Sequence, residues 1–330
     1  MPRAPQTSTR KATGVACANI ALIKYWGNRD DALRLPANGS ISFNLDGLST
    51  QTGVEWQDTS RQDSLSINAK PVTGDRLRRV SSFLDLIRSA AGMDSGARIE
   101  SQNNFPDGAG LASSAAGFAA LALAASTAAG LELDEAHLSR LARRGSGSAC
   151  RSIAAGFVEW RVGTGDEDSH AISIAPPGHW ALADVIAVVS TAHKATGSTE
   201  GHALAPSSPL QAARVTDAPR RLDLCRQAIL ERDFDKLAAI TELDSNLMHA
   251  VMQTCTPPLF YWIPATVRLM QMAQQWRNTG MPVCYTIDAG PNVHFICTEE
   301  VSGDLAGQVA QIPELEKVLV ARVGDAAHLI

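Results

Sequence analysis

The chain has 330 residues, 45% of them apolar, so it can bury a full core and fits either two domains or one large α/β unit. Its net charge of -5 and pI near 5.9 argue against a nucleic-acid or membrane-surface partner, so any bound anion must be held by local cations. Its six cysteines form no close CxxC pair and its eight histidines form no HxxxH pair. A reduced, cytoplasmic protein without a dedicated metal site is therefore expected.

The first half of the chain alternates strand-like runs with two helices, which predicts a layered mixed fold. Apolar residues from Leu77 to Ile87 recur at helical spacing and predict a helix at 76–91. A second helix is expected from its N-cap, Asp134, to its stop at Gly145. The long charge-free stretch at 109–131 consists of small residues, which predicts a buried helix rather than a membrane span. The expected strands lie at 15–25, 39–45, 52–56 and 98–102.

The second half begins after Pro176, Pro177 and Gly178, where the strand-like run at 184–190 suggests a domain boundary. We therefore expect an N-terminal lobe at 1–183 and a C-terminal lobe at 184–330. No internal repeat or heptad array is present, which disfavours a scaffold or coiled coil. Helices are expected at 219–232, 234–252 and 263–279, followed by strands at 283–287 and 293–298 that a DAGPN turn joins.

The run NIALIKYWGNRD at 19–30 places Lys24 at the end of an otherwise buried strand. Burying an ammonium without an anion is costly, so the run predicts a negatively charged partner nearby. Tyr25, Trp26 and Gly27 follow, a combination suited to a strand that opens into a ligand cleft. The alternative is a lysine at a strand end that extends its ammonium into solvent.

The segment NFPDGAGLASSAA at 104–116 is a Gly- and Ser-rich loop that leads into an Ala-rich helix. Free N–H groups at a helix start, with the hydroxyls of Ser113 and Ser114, can bind an anion. No GK[ST] follows, so the loop is not a Walker A motif. The alternative is a helix whose small residues serve only tight packing.

Two further Gly- and Ser-rich segments could bind a ligand. RGSGSACRS at 144–152 ends in Arg151, whose planar fork matches a carboxylate or phosphate, although a solvated loop arginine is the alternative. STAHKATGSTEG at 190–201 could line a phosphate, and an ordinary surface loop is an equal alternative. Its candidate contacts are Lys194, Thr196, Ser198 and Thr199. The segments at 104–116 and 144–152 together favour a phosphorylated ligand.

The segment YTIDAGPNV at 285–293 ends an apolar strand with Asp288 just before a tight turn. A carboxylate there can be held rigidly and aimed into a cleft, as a general base requires. An Asx-turn aspartate that closes a hairpin is the alternative. Lys24 and Asp288 are complementary charges at the ends of two apolar strands, so each could be the partner that the other needs.

These segments, in this order, resemble the mevalonate diphosphate decarboxylase family of the GHMP kinase superfamily. The matching runs are NIALIKYWG, LPANGSIS, NFP with AGLASSAAG, GSGSACRS and DAGPN, spread over 19–292. The resemblance implies an α+β GHMP fold with two α/β lobes flanking an active-site cleft, and a homodimer. It implies that MgATP phosphorylates the tertiary 3-hydroxyl of a 5-phosphorylated mevalonate. Loss of that phosphate then accompanies decarboxylation to an isopentenyl product.

The resemblance also implies a role for each matching residue. Asp288 would be the catalytic carboxylate at the 3-hydroxyl, with Lys24 neutralising charge beside it, and Arg151 and Asn19 would hold the substrate carboxylate. ATP is the implied cofactor, and it carries the Mg²⁺. The implied contacts to the 5-phosphate are Tyr25, Ser146, Gly147 and Ser148. The implied cradle for the ATP phosphates is Gly110, Leu111, Ala112, Ser113, Ser114 and Ala115.

Asn28 departs from the family pattern, in which a lysine commonly follows KYWG and lies near the terminal phosphate of the diphosphate. A charge-assisted contact is worth roughly 1.5–3 kcal/mol, so its loss could change substrate preference by about ten- to a hundredfold. We therefore expect mevalonate 5-phosphate as substrate and isopentenyl phosphate as product, as in a decarboxylase branch of the family, with Asn28 contacting the substrate. The alternative is mevalonate 5-diphosphate. Asp107 also departs from the pattern, and nothing in the sequence explains it.

Two other functions compete with a decarboxylase. A GHMP small-molecule kinase without decarboxylation would be expected to lack the set Lys24, Arg151 and Asp288, which is present here. A ligand sensor on the same fold would not need that charged set either, and no DNA-reading basic helix is seen.

Overall fold

The computed structural model describes residues 10–57, 60–105, 113–191 and 197–330. The strands are β1 (Lys11–Ile23), β2 (Asn28–Asp30), β3 (Leu35–Pro36), β4 (Ser40–Gln57), β5 (Ser64–Ile67), β6 (Lys70–Val72), β7 (Gly96–Asn103), β8 (Phe157–Trp160), β9 (Ala171–Ala175), β10 (Leu182–Val188), β11 (Val283–Thr286), β12 (Val293–Thr298), β13 (Lys317–Val323) and β14 (His328–Leu329). The α-helices are α1 (Gly74–Ala91), α2 (Ser113–Ala128), α3 (Glu135–Gly145), α4 (Ser198–Leu204), α5 (Gln211–Glu231), α6 (Phe234–Thr254), α7 (Pro264–Asn278) and α8 (Glu299–Val309). Short 3-10 helices lie at Gly147–Ser152, Pro177–His179 and Ala205–Ser207.

Within the described residues, twelve strands form one mixed sheet and β2 pairs only with β3. The main path runs β11-β12-β10-β13-β4-β7-β5-β6, and β1 lies beside β4. Most pairs are antiparallel, whereas β5 and β7 run parallel. Because β13 pairs with β4, with Arg322 opposite Asp46, strands from the two halves of the chain share the sheet.

The long strand β4 differs from the two strands expected at 39–45 and 52–56. Gly47 has a φ of 85°, a left-handed conformation that lets the backbone bend without ending the strand. On the partner strand β1, the register shifts between Cys17 and Ala18. The polar stretch between the two predicted strands is therefore a bulged part of one strand rather than a turn.

Helix α5 begins at Gln211, eight residues before the start that Pro219 suggested, and Pro219 lies inside the helix. Proline removes one backbone donor from a helix, so the sequence favoured a start there. The first turns are stabilised by contacts that sequence does not reveal, because Gln211 and Arg214 are buried and donate hydrogen bonds to the carbonyl of Trp26. The helices expected at 76–91, 234–252 and 263–279 are confirmed as α1, α6 and α7, with ends shifted by one or two residues.

The Ala-rich helix α2 is buried in the N-terminal part of the molecule, as its composition predicted. It packs across β1 so closely that a Cβ on Gly14 would lie 2.7 Å from the carbonyl oxygen of Ala120. Small residues allow this approach, which fixes the first residues of α2 near the end of β1. Within the described chain, no helix has both the length and the apolar character that crossing a membrane requires.

In the C-terminal part, α6 packs along β11, the strand at one end of the sheet path. The predicted hairpin is confirmed, since β11 and β12 pair antiparallel with Thr286 opposite His294. Helix α6 also contacts β1. The ends of β1 and β11 meet there, where the hydroxyl of Thr286 donates to the carbonyl of Ala21 at 3.3 Å.

Candidate active site

Lys24 and Asp288 meet where β1 and β11 end. The Lys24 Nζ lies 2.5 Å from Asp288 Oδ1, with 2% of the lysine side chain and 27% of the aspartate side chain exposed. The structure thus gives Lys24 the anionic partner that its buried strand required. The carboxylate is the more exposed partner of the pair.

Arg151 lies on the 3-10 helix Gly147–Ser152 and is only 3% exposed. Its Nε and Nη1 donate to the hydroxyls of Ser42 and Ser40 at 2.9 and 2.6 Å, and its Nη2 donates to Asn19 Oδ1 at 3.1 Å. Burial lowers the pKa of this guanidinium from its usual value. All three partners are neutral, so the positive charge remains available to an anion in the cleft.

A cavity of about 320 Å³ opens between these residues. Among the described residues that line it, the charged side chains are four cations and one carboxylate: Lys24, Arg34, Arg79, Arg151 and Asp288. Clefts with charge of one sign and low-dielectric walls concentrate ions of the opposite sign. In a chain with a net charge of -5, this local excess of positive charge suits a ligand with several negative groups.

Most of the described site residues that the sequence predicted line this cavity. Besides the pair of charges and Arg151, the predicted residues at its wall are Asn19, Tyr25, Ser113, Ser114, Ser146, Gly147, Ser148, Ser198 and Thr199. The predicted contacts Gly110, Leu111, Ala112, Lys194 and Thr196, and the unexplained Asp107, lie outside the described residues. The cavity wall therefore brings together predicted residues from five separate segments of the sequence.

Two predicted contacts do not line the cavity. Asn28 turns to its own segment, where its Oδ1 accepts from the hydroxyl of Tyr25 and its Nδ2 donates to Asp31 at 2.8 Å. The side chain of Ala115, on α2, is fully buried. The resemblance placed Asn28 at the position of the family's lysine and Ala115 in the loop around the ATP phosphates, and neither side chain lies at the described cavity wall.

Tyr25 is held in the cavity wall by close packing. A Cβ on Gly147 would lie 2.5 Å from Tyr25 Cε1, so only glycine permits this contact. On the other side, the ring of His202 stacks on Tyr25 with centroids 4.1 Å apart. The N–H of Gly27 donates to His202 Nδ1 at 2.9 Å, and burial together with Arg34 lowers the pKa of this imidazole to about 3. His202 is therefore a neutral ring at the cavity wall.

Arg34 and Arg79 are cavity cations that the sequence analysis missed. Arg34 has a φ of 51°, unusual for a residue with a Cβ, and its Nε donates to the carbonyl of Arg144 at 3.0 Å. Arg79 donates to the carbonyl of Gly145 at 2.8 Å, and burial followed by the nearby Arg34 lowers its pKa to about 10. An arginine on an amphipathic helix is usually solvated. Its position four residues before the buried Phe83 was the available signal that Arg79 faces inward.

A second cavity of about 150 Å³ shares Arg79, Ser113 and Ser114 with the first. Its apolar lining consists of Leu65, Ile67, Val80, Ile99, Phe118 and Leu121. The hydroxyl of Ser114 lies 3.2 Å from that of Ser146, so the start of α2 contacts the loop that precedes Arg151. An elongated ligand with one apolar and one charged end could occupy both cavities.

Two family models match the chain. The model of the diphosphomevalonate decarboxylase-like N-terminal domain matches residues 16–171. The model of the mevalonate 5-diphosphate decarboxylase C-terminal domain matches residues 184–325. Together they cover both halves of the chain and all the segments on which the resemblance was based.

Curated relatives and solved structures agree with these models. The diphosphomevalonate decarboxylase of Candida albicans is 41% identical over 298 residues, which are 85% of this chain and 82% of the relative. That of Aspergillus fumigatus is 40% identical over 326 residues, 92% of this chain and 80% of the relative. The mevalonate diphosphate decarboxylase of Staphylococcus aureus superposes with a TM-score of 0.92 at 35% identity, covering 97% of this chain and 98% of that one. A solved complex of MDDEF with MVAPP, AMPPCP and magnesium superposes with the same TM-score of 0.92, at the same 35% identity and with the same coverage of both chains. The predicted family and its two-lobed α+β fold are confirmed.

The predicted preference for mevalonate 5-phosphate is wrong. The family models and the relatives carry the diphosphate in their names, and these matches support the alternative substrate instead. The physical error lay in treating residue 28 as the decisive contact. Asn28 is absent from the described cavity wall, and Arg34 and Arg79 supply positive charge there that does not depend on a lysine at that position.

Proposed function

Because the chain belongs to the mevalonate diphosphate decarboxylase family and is an ATP-dependent carboxy-lyase, we propose that it converts mevalonate 5-diphosphate to isopentenyl diphosphate, ADP, phosphate and CO2. The observation that carries the proposal is the Lys24–Asp288 pair, at 2.5 Å, beside a cation-rich cavity. Both the described charges and the related complex with MVAPP and AMPPCP support two anionic ligands in one cleft.

In the first step, the tertiary hydroxyl of the substrate attacks the γ-phosphorus of ATP, and the bond from that phosphorus to the bridging oxygen breaks to give ADP. Asp288 orients the hydroxyl and accepts its proton. Lys24, in contact with that carboxylate, offsets negative charge as the phosphoryl group arrives. Phosphoryl transfer depends mainly on such positioning and charge stabilisation.

In the second step, the new phosphate leaves with the electrons of its bond to carbon. The bond between the carboxylate carbon and its neighbour breaks, and its electrons form the new double bond as CO2 departs. Arg151 would hold the substrate carboxylate through two parallel hydrogen bonds until that bond breaks. Asn19 supports this arginine, because its Oδ1 accepts from Arg151 while its Nδ2 donates to Ser152 Oγ at 2.8 Å.

The diphosphate end of the substrate would lie against Tyr25 and the loop of Ser146, Gly147 and Ser148. Arg34 lines the same cavity and would supply charge to the second phosphate. Burial raises the pKa of the Tyr25 hydroxyl above its usual value, so this group stays a neutral hydrogen-bond donor. Binding therefore combines cations for affinity with neutral donors for orientation.

The nucleotide would span both cavities. Its base fits the apolar second cavity, and its phosphates would pass Arg79 and the hydroxyls of Ser113 and Ser114 toward Asp288. The start of α2 supports this placement, since backbone N–H groups at a helix N-terminus favour phosphate. Among the described residues, no three His, Cys, Asp or Glu side chains cluster around a metal position. The hydroxyls of Ser113 and Ser114 would hold the magnesium that ATP carries, and this ion would supply positive charge against the phosphates.

The test supplies MgATP with mevalonate, its 5-phosphate or its 5-diphosphate in parallel, and measures ADP and CO2. We expect the diphosphate to give the highest kcat/KM, with one CO2 per ADP. ADP without CO2 would identify a kinase, and binding without either product would identify a sensor. A homodimer, a cytoplasmic location and the lobe boundary between residues 183 and 184 stay predictions.

A further inference from the structure

Helix α6 contacts the backbone beside both residues of the proposed catalytic pair. Asp244 Oδ2 accepts from the N–H of Lys24 at 2.6 Å. The next residue, Ser245, accepts from the N–H of Ile287 through its Oγ at 3.0 Å. Neighbouring residues of one helix thus bind two chain segments that are more than 250 residues apart in sequence.

The contact with β11 is extended by further side chains of α6. Glu242 Oε1 accepts from the N–H of Tyr285 at 3.3 Å, and His249 Nε2 lies 3.3 Å from the carbonyl oxygen of Ile287. Since β11 ends the main sheet path, side chains of α6 replace the hydrogen bonds that another strand would make at this edge. The residue that follows Ile287 is Asp288. These bonds therefore fix the backbone position from which the Asp288 side chain extends.

At the end of β1, hydrogen bonds hold both the N–H and the carbonyl of Lys24. The carbonyl of Lys24 accepts from Arg214 Nη2 at 2.8 Å and from Asn38 Nδ2 at 2.9 Å, while Asp244 holds its N–H. Asp244 is in turn fixed by Arg221, whose Nε lies 2.7 Å from Oδ1. Asp244, Ser245 and His249 are all at most 1% exposed, so water cannot substitute for them readily.

We propose that Asp244, Ser245 and His249 are positioning residues, which fix the separation of the Lys24 ammonium and the Asp288 carboxylate by holding the two strand ends on one helix. This role rests on the proposed function, because it matters only if that pair reacts. A rigid support is what such a pair requires, since a misplacement of about 1 Å can cost about a hundredfold in rate. None of the three side chains needs to touch the substrate.

The test uses Ser245→Ala, His249→Leu and His249→Gln in the full chain. Ser245→Ala removes the bond that Ser245 Oγ accepts from the N–H of Ile287 and the longer bond that it donates to the carbonyl of Ile287. His249→Leu removes one bond to that carbonyl, whereas Gln keeps an N–H donor near the position of Nε2. The matched control is Ser126→Ala, since Ser126 is a buried helix serine, 2% exposed, whose Oγ donates to Ala122 at 2.7 Å outside the cavity wall. For each variant, kcat and both KM values are measured with MgATP and mevalonate 5-diphosphate, together with the thermal midpoint.

We expect kcat to fall about 10- to 100-fold in Ser245→Ala and His249→Leu, with both KM values within about threefold of wild type. His249→Gln should recover most of the lost rate, and Ser126→Ala should keep the wild-type kcat. The proposal is overturned if the variants keep wild-type kcat, or if their losses follow the thermal midpoint and Ser126→Ala shows the same loss. A wild-type enzyme that releases no CO2 would instead overturn the proposed function, so the two failures are distinct.

Discussion

Arg151 and Arg221 are both buried arginines, yet their surroundings differ in charge. Arg221 contacts two carboxylates, with Nε 2.7 Å from Asp244 Oδ1 and Nη1 2.7 Å from Asp217 Oδ2. Arg151 has hydroxyl and amide oxygens as its hydrogen-bond partners, and no carboxylate of the described chain lies within ion-pair distance of it.

The difference separates a charge that carboxylates of the protein compensate from one that the proposed function assigns to a ligand. A buried cation without an anion is costly, so folding alone would favour the surroundings of Arg221. The three neutral acceptors around Arg151 fix its orientation and leave it without a carboxylate of the described chain in direct contact, while Asp288 interacts with its charge from farther away. An anionic ligand such as the substrate carboxylate can then complete the ion pair. The free energy of that ion pair then contributes to ligand binding instead of to folding.

The largest expected effect is on activity, from Arg151→Gln. Losing two charge-assisted bonds to the substrate carboxylate, each worth roughly 1.5–3 kcal/mol, should lower kcat/KM for mevalonate 5-diphosphate about 10²- to 10⁴-fold. The thermal midpoint should fall less than in Arg221→Gln, because no buried carboxylate is left without its partner. Steady-state assays and thermal unfolding check both statements. A kcat/KM within threefold of wild type would mean that the free charge of Arg151 serves no ligand.

Arg221→Gln should give the opposite result, a loss of stability. Asp244 would keep a buried carboxylate without its main partner, which should lower the free energy of unfolding by about 3–5 kcal/mol. Urea unfolding measures this change. The control is Arg220→Gln on the same helix, since Arg220 forms an exposed pair with Asp217 and its loss should leave stability nearly unchanged. Equal effects of the two substitutions on the free energy of unfolding would show that the buried ion pair of Arg221 contributes no more stability than the exposed pair of Arg220.

Asn19→Asp tests the contrast by giving Arg151 a carboxylate. Asn19 Oδ1 lies 3.1 Å from Arg151 Nη2, so an aspartate there would form an ion pair that competes with the substrate. We expect KM for mevalonate 5-diphosphate to rise about tenfold, which corresponds to about 1.4 kcal/mol of lost binding. Asn19→Ser loses the same amide donors without adding charge and should raise KM less. An unchanged KM in Asn19→Asp would show that the charge state of Arg151 does not govern binding.

The buried imidazole of His249 should make the stability of the protein depend on pH. Burial lowers its pKa to about 3, below the ordinary value of about 6.5 that applies in the unfolded chain. The unfolded state therefore binds the proton first, so this histidine's contribution to stability is complete above pH 6.5 and is lost as the pH falls toward 3. The loss should approach about 1.4 kcal/mol per pH unit within that window. Urea unfolding from pH 7 to 4 should show a shallower dependence in His249→Gln, and parallel curves would contradict the assignment.

The parts of the site that lie at strand ends and in Gly-rich loops were predictable from the sequence. A lysine after a buried strand needs an anion, and Asp288 before the DAGPN turn was a strong candidate, so the structure's 2.5 Å contact follows from simple charge rules. Arg151 was singled out by its loop. The hydrogen bonds that surround this arginine with neutral acceptors join distant segments, and sequence alone does not reveal them.

The errors arose where tertiary contacts override local pattern. Pro219 indicated a helix start, but packing near Trp26 extends α5 by two turns. Arg79 was not singled out within the predicted helix, although it lines both cavities. Asn28 was assigned to the substrate because it stands at the position of the family's lysine, but its side chain contacts Tyr25 and Asp31 and is absent from the described cavity wall.

The most direct test of the account compares wild type with Asp288→Asn in an assay that measures ADP and CO2 from MgATP and mevalonate 5-diphosphate. Asparagine has nearly the same shape but cannot accept the proton of the 3-hydroxyl. The account predicts one CO2 per ADP in the wild type and a loss of both products of about 10²- to 10⁴-fold in the variant, with substrate binding retained. Undiminished release of ADP and CO2 by Asp288→Asn would contradict it.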